Sequence, residues 1–175
     1  MPRADNQRNE SGLSAISENE STNQEFPSSK LIFDWPEGSR VLVVEDNQIN
    51  QVLIEQLLID FELQVDLVAD GKEAIEMLKM SPVINPYALV LMDCQMPLMD
   101  GYTATQKIRQ GEGASRYVNI PIIALTANAM ADDRKKCLDA GMNDYLSKPI
   151  DPDKLIAMLK KWILSDNTES TNISE

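Results

Sequence analysis

Ala88-Leu89-Val90-Leu91-Met92 runs straight into Asp93, and Cys94-Gln95-Met96-Pro97-Leu98-Met99-Asp100-Gly101 follows. An apolar run of this length reads as a strand buried on both faces, the pattern of a parallel sheet covered by helices. Open α/β sheets receive their ligands beyond the carboxyl ends of such strands, so the Asp93 carboxylate stands where a ligand would be met. Val41-Leu42-Val43-Val44 repeats the pattern and ends in Glu45-Asp46. Three carboxylates are therefore expected to converge from two strand ends.

Working outward, short apolar runs alternate five times with amphipathic stretches of helix length. Strands are expected at roughly 41–45, 64–68, 88–92, 121–125 and 144–147, and helices at roughly 48–61, 71–80, 101–110, 130–140 and 151–164. Ile54, Leu57, Leu58 and Phe61 share one face of the first helix; Leu155, Met158, Leu159 and Trp162 share one face of the last. Asp70-Gly71, Asp100-Gly101 and Ala140-Gly141 punctuate element ends. Five βα units with short connections predict an α/β fold, a doubly wound five-stranded parallel sheet with five helices.

Flanking segments differ in composition. Residues 1–36 are rich in Ser, Asn, Gln and Glu and read as a disordered lead or interdomain linker, with Leu31-Ile32-Phe33-Asp34-Trp35 as its one apolar patch. That patch either docks on the domain or is chance. Residues 166–175 read as a flexible C-terminal tail, which leaves 37–165 as the folded domain.

The net charge of −12 and the absence of a basic stripe argue against direct contact with nucleic acid. Half of that charge lies outside residues 41–165, so the body is only mildly acidic. Apolar runs are of strand length and the N-terminus lacks a signal-peptide core, so no membrane contact by this segment and a cytoplasmic location are expected. There is no histidine, and Cys94 and Cys137 are the only cysteines, which excludes the usual Cys/His zinc site and every His-dependent catalytic arrangement. Both cysteines are read as small buried filler in a reducing compartment.

Like charges at Glu45, Asp46 and Asp93 repel by about 4 kcal/mol for a pair at 4 Å and an effective dielectric of 20. A divalent cation relieves this, and oxygen ligands without Cys or His favour Mg²⁺ completed by a phosphate. Glu45 and Asp46 alone could equally line a solvated strand edge; Asp93 on a second strand favours a site. The fourth strand ends in Thr126-Ala127-Asn128, offering a hydroxyl and backbone N–H groups suited to phosphate oxygens. The fifth ends in Lys148-Pro149, where proline favours an extended Lys148 and allows a cis bond.

Val-Leu-Val-Val-Glu45-Asp46-Asn47, Leu-Met-Asp93-Cys-Gln-Met-Pro97-Leu-Met-Asp100-Gly101, Ala-Leu-Thr126-Ala127 and Leu-Ser-Lys148-Pro149 together resemble the receiver domain of two-component response regulators. The resemblance covers about residues 40–164. Asn50-Gln51 and Asn143-Asp144-Tyr145 make it most similar to receivers at the C-terminus of hybrid sensor histidine kinases. It implies the flavodoxin-like strand order 2-1-3-4-5. It implies that Asp93 is the phosphoacceptor for a phosphohistidine, forming an acyl phosphate. Asp46, Asp93 and the Gln95 backbone carbonyl would hold Mg²⁺, with Mn²⁺ as a substitute, and Glu45 would act through metal-bound water. Lys148, Thr126 and the Ala127 N–H would bind phosphate, and Thr126 and Tyr145 would form the switch read out on the fourth helix, fifth strand and fifth helix. The structural alternative for Tyr145 is an ordinary half-buried aromatic.

The implied partners are a histidine kinase core and a histidine phosphotransfer protein, with the domain a monomer or weak dimer. It would catalyse its own phosphorylation and dephosphorylation without turning over a separate substrate. A small-phosphoester phosphatase commonly needs a second carboxylate two residues after the nucleophile, where this chain has Gln95. A binding module that had lost phosphorylation would lack Asp93, the acid pair or Lys148, and all are present. The chain reads either as a stand-alone receiver or as part of a hybrid kinase at the cytoplasmic end of a membrane-anchored sensor; motif wording and the long polar lead favour the second.

Overall fold

A computed structural model describes residues 33–128 and 130–165. The remainder of the polar lead, residues 1–32, and the tail at 166–175 lie outside the described residues. Five strands, β1 (Arg40–Val44), β2 (Gln64–Val68), β3 (Tyr87–Asp93), β4 (Ile122–Thr126) and β5 (Asp144–Ser147), alternate with five helices, α1 (Gln48–Asp60), α2 (Gly71–Met80), α3 (Gly101–Arg109), α4 (Ala131–Asp139) and α5 (Pro152–Ile163). All strand pairings are parallel, in the order β2-β1-β3-β4-β5. The expected flavodoxin-like architecture is the observed one.

The burial of each strand follows from its place in that order. β1, β3 and β4 lie inside the sheet with both faces covered and are apolar except at their ends, Arg40, Asp93 and Thr126; β2, at one edge, buries only Val68 and carries Gln64 and Asp66. Alternate residues feed two cores. Leu42, Val44, Val90 and Met92 meet Ile75, Leu78, Ala104, Ile108 and Cys137 from α2, α3 and α4. Val41, Val43, Leu89 and Leu91 meet Ile54, Leu58, Leu155, Leu159 and Ile163 from α1 and α5. Full burial of such side chains contributes about 1.5–3 kcal/mol each, which makes these layers the main source of stability.

Helix starts are encoded locally. Asn47, Asp70, Asp100 and Asp151 each accept backbone N–H bonds at the N-cap of α1, α2, α3 and α5. α4 differs: Met130 gives it no side-chain cap, and Cys137 is the only buried residue within the helix. Boundaries differ from the expected ones by a residue or so, and β3 continues through Asp93 itself.

Packing against the domain begins ahead of the expected start at residue 37. Trp35 Nε1 donates to the Phe61 carbonyl at 2.6 Å, Phe33 stacks on Trp35 with ring centroids 5.8 Å apart, and Phe33 meets Phe61 at 5.5 Å. Of the apolar patch that the sequence left ambiguous, Trp35 packs against the core built by α1 and α5, and Phe33 rests on Trp35 and Phe61; Leu31 and Ile32 lie outside the described residues.

Candidate functional site

The carboxyl ends of the five strands are knitted into one rim. Glu45 N–H donates to the Val68 carbonyl, Cys94 N–H to Leu125, and Lys148 N–H to Thr126, so Glu45, Lys148 and the residue after Asp93 are each held by a bond that prolongs the sheet. Between α1 and the segments after β3, β4 and β5 lies a cleft of about 250 Å³, into which Glu45, Asp46, Asp93, Gln95, Ala127 and Lys148 face.

Glu45, Asp46 and Asp93 each bring a carboxylate oxygen within 4.8 Å of the other two. Glu45 is fully buried and Asp93 is 4% exposed, whereas Asp46 is exposed at the start of α1. Asn47 N–H donates to Glu45 Oε1 at 3.0 Å, and Gln51 Nε2 donates to the Glu45 carbonyl at 2.6 Å. Lys148 Nζ joins the two buried acids, 2.6 Å from Glu45 Oε2 and 3.0 Å from Asp93 Oδ2. The Lys148-Pro149 bond is cis.

Burial pushes the Asp93 carboxyl up, and the neighbouring Glu45 charge adds to it; the Lys148 ammonium and the Gln95 N–H oppose them, leaving it at about 6. For Lys148, burial lowers the affinity for its proton, but Glu45 and Asp93 outweigh burial and raise it above its ordinary value. The ammonium is thus secure at neutral pH. One lysine set against three acids leaves net negative charge in a partly desolvated cleft, a hard-oxygen donor set that fits Mg²⁺.

Gln95 N–H donates to Asp93 Oδ1 at 3.1 Å, fixing the turn after β3. Gly101 is required there by close approach: a Cβ on it would lie 2.1 Å from the Asp93 carbonyl oxygen. Thr126 ends β4. It is buried outside the cleft lining, its hydroxyl donating to the Asn128 carbonyl at 2.8 Å and accepting from the Asn128 N–H at 3.2 Å. A hydroxyl two residues from a loop amide closes this local turn in preference to facing an open cleft. Tyr145 is half-buried against the α2–α4 side of the core, with the Arg134 guanidinium 5.4 Å from its ring centroid.

Glu45, Asp46, Asp93, Gln95, Ala127 and Lys148 are therefore assembled, while Thr126 and Tyr145 lie beside the assembly. Reading the residues alone missed the positioning contributions of Asn47 and Gln51 and the close approach at Gly101. Asn47 was the most accessible of them, because an Asn ahead of an amphipathic stretch marks a helix cap.

The sequence pattern of the response regulator receiver domain matches residues 41–160. Over 123 residues, 70% of this chain, it is 43% identical to the sensor histidine kinase GacS of Pseudomonas protegens, of which it spans 13%. It is 43% identical over 133 residues to hybrid signal transduction histidine kinase B of Dictyostelium discoideum, covering 71% of this chain and 7% of that protein. The chain thus spans a small part of the length of these relatives. Among solved structures, the receiver domain of the sensor histidine kinase PA1611 from Pseudomonas aeruginosa, with magnesium coordinated in its active site cleft, aligns at a TM-score of 0.64 and 45% identity, covering 72% of this chain and 98% of that one. The Saccharomyces cerevisiae Ssk1 receiver in complex with the histidine phosphotransfer protein Ypd1 gives a match at 0.68 and 31% identity, covering 78% and 96%. No helix among the described residues is long and apolar enough to cross a membrane. With this sheet order, this acid cluster and a pattern match across most of its length, the chain belongs to the response regulator receiver domain family of two-component phosphorelays.

Proposed function

We propose that the chain accepts a phosphoryl group from a phosphohistidine on Asp93. The observation that carries this reading is the bridging of two buried carboxylates, Asp93 and Glu45, by the single Lys148 ammonium at the open end of the sheet. An Asp93 oxygen attacks phosphorus; the P–N bond to the donor imidazole breaks, and the imidazole nitrogen keeps the electron pair and takes up a proton. Because the phosphoramidate is already activated, this chain supplies alignment and charge compensation. Lys148 pairs with phosphoryl oxygens once Asp93 carries the acyl phosphate, the Ala127 N–H donates to another, and Thr126 reaches the group if its turn on Asn128 opens.

Asp46, Asp93 and the Gln95 carbonyl would hold Mg²⁺, with Glu45 acting through metal-bound water and Mn²⁺ serving as a substitute. Bound there, the ion supplies positive charge that offsets the acids and the incoming phosphoryl oxygens.

The donor and onward acceptor are a histidine kinase core and a histidine phosphotransfer protein. Ile49, Val52 and Leu53, exposed at 79%, 64% and 46%, form an apolar strip on α1 beside the cleft, suited to the side of a helix that carries the histidine. Signalling then proceeds through Thr126 and Tyr145 to α4, β5 and α5. The protein acts in the cytoplasm as a monomer or weak dimer, within or alongside a hybrid kinase. Incubation with Mg²⁺ and a phosphorylated kinase core is expected to give a base-labile acyl phosphate on Asp93 that Asp93→Asn abolishes. Labelling that survives this substitution overturns the assignment.

A further inference from the structure

Two groups that the phosphorylation chemistry does not use meet next to it. Cys94 follows Asp93 at the end of β3, Cys137 lies on α4, and their sulfur atoms are 3.8 Å apart although 43 positions separate them in the chain. Both thiols are free and buried, at 2% and 1% exposure. Cys137 is the sole buried residue within α4, which has no side-chain N-cap. Cys137 is thus the one fully buried side chain by which α4 enters the core, and Cys94 lies against it. The other described α-helices bury more of their length: α2, α3 and α5 each bury three or more residues, and α1 buries two.

We propose that Cys94 and Cys137 form an oxidisable dithiol that a peroxide closes into an intramolecular disulfide, tethering α4 to the strand that carries Asp93. The first sulfur to react attacks one peroxide oxygen, the O–O bond breaks, and the thiol proton leaves in a water molecule, giving a sulfenic acid. The second sulfur attacks that sulfenic sulfur; the S–O bond breaks, its oxygen departs as a second water with the remaining thiol proton, and the S–S bond forms. Two thiols and one peroxide thus give one disulfide and two waters. Closure needs the sulfurs to approach to about 2.05 Å, a motion of under 2 Å from their observed separation.

Packing sets when this happens. Both sulfurs are buried beneath α4, so the seated pair is shielded from solvent and oxidant. Lifting of α4 admits solvent and oxidant together, which makes the reaction report on the seating of this helix. Once formed, the crosslink holds α4 down whether or not Asp93 is phosphorylated.

The test treats the 175-residue chain with hydrogen peroxide under native conditions, maps cysteine peptides by mass spectrometry without reduction, and follows amide exchange. The expected product is one Cys94–Cys137 peptide pair lacking two hydrogens, with exchange across residues 131–139 slowed about tenfold and β1 and β2 unchanged. Reduction by dithiothreitol restores the original rates. Cys94→Ser and Cys137→Ser, each checked for native circular dichroism, show no peroxide-induced slowing. Recovery of two unmodified thiols, sulfinic acid without a disulfide, intermolecular pairing, or a disulfide that leaves α4 exchange unchanged each overturns the proposal. Asp93 labelling measured on the reduced chain reports the phosphorelay reading separately, so failure of one is distinguishable from failure of the other.

Discussion

Lys148 Nζ sits closer to Glu45 than to Asp93, at 2.6 Å against 3.0 Å, and Glu45 is the more deeply buried acid. The lysine is therefore a structural counter-ion as well as the proposed phosphate ligand. Replacing it by Met leaves Glu45 buried and unpaired, and loss of one partner from a buried pair costs about 3–5 kcal/mol. Asp93→Asn has the opposite sign: it removes the second carboxylate and leaves the Lys148–Glu45 pair intact, so the metal-free protein gains on the order of 1–3 kcal/mol. Urea denaturation of both variants, with and without Mg²⁺, checks this. Asp93→Asn is also expected to lose most of the Mg²⁺-dependent rise in stability.

Gly101→Ala tests how tightly the turn after β3 is built. Its Cβ would fall 2.1 Å from the Asp93 carbonyl oxygen and 2.9 Å from Met92 Cγ, and backbone cannot swing aside as a flexible side chain does. A loss of roughly 1–3 kcal/mol or more is expected, together with slower phosphoryl acceptance because the displaced backbone is that of the acceptor. Unfolding curves and acetyl phosphate labelling measure the two effects. Gly111→Ala is the control, since its nearest neighbour would be 3.9 Å away and only its positive φ of 94° opposes the change.

These two cases mark what the sequence made legible. The runs ending at Val44, Met92 and Leu125 located the sheet, because residues buried on both faces leave no polar alternation to misread. Glu45 and Asp46 became legible as part of a cluster only through Asp93, because acids at the ends of two buried strands have few structural explanations. The Glu45–Lys148 pairing, the Thr126–Asn128 turn and the meeting of Cys94 with Cys137 depend on side-chain direction and on contacts far apart in sequence. Periodicity carries no information about those. Phe33 and Trp35 were obscured for a different reason: a polar lead gives no sign of which apolar residues find a partner.

Asp144 supplies an acid-side stability dependence. Burial raises its carboxyl, but Lys161 at 2.6 Å, the Tyr145 N–H and Trp162 Nε1 at 3.2 Å outweigh burial and hold it below its ordinary value of 3.8. A carboxyl depressed in the folded state stabilises above the unfolded value and loses that contribution as pH falls through the folded one. The stability gap between the native protein and Asp144→Asn should be constant from pH 7 to about 5 and shrink below about 4. Denaturation midpoints across that range decide it; a gap that widens on acidification contradicts the assignment.

The α1 surface offers the sharpest separation of docking from chemistry. Val52 is 64% exposed and lies on the helix that borders the cleft, yet the pairing of Lys148 with Glu45 and Asp93 does not involve it. Val52→Asp puts a charge on an apolar strip without removing core contacts, and exposed helix positions tolerate such changes within about 0.5 kcal/mol. If a helix bearing the donor histidine packs on Ile49, Val52 and Leu53, burying an unpaired carboxylate there should slow phosphotransfer tenfold or more, as expected for about 1.4 kcal/mol or more of lost binding. Labelling by acetyl phosphate, which needs no docking surface, should keep its native rate. Equal losses with both donors would place the defect in the site rather than the surface, and unchanged transfer from the protein donor would remove α1 from the interface.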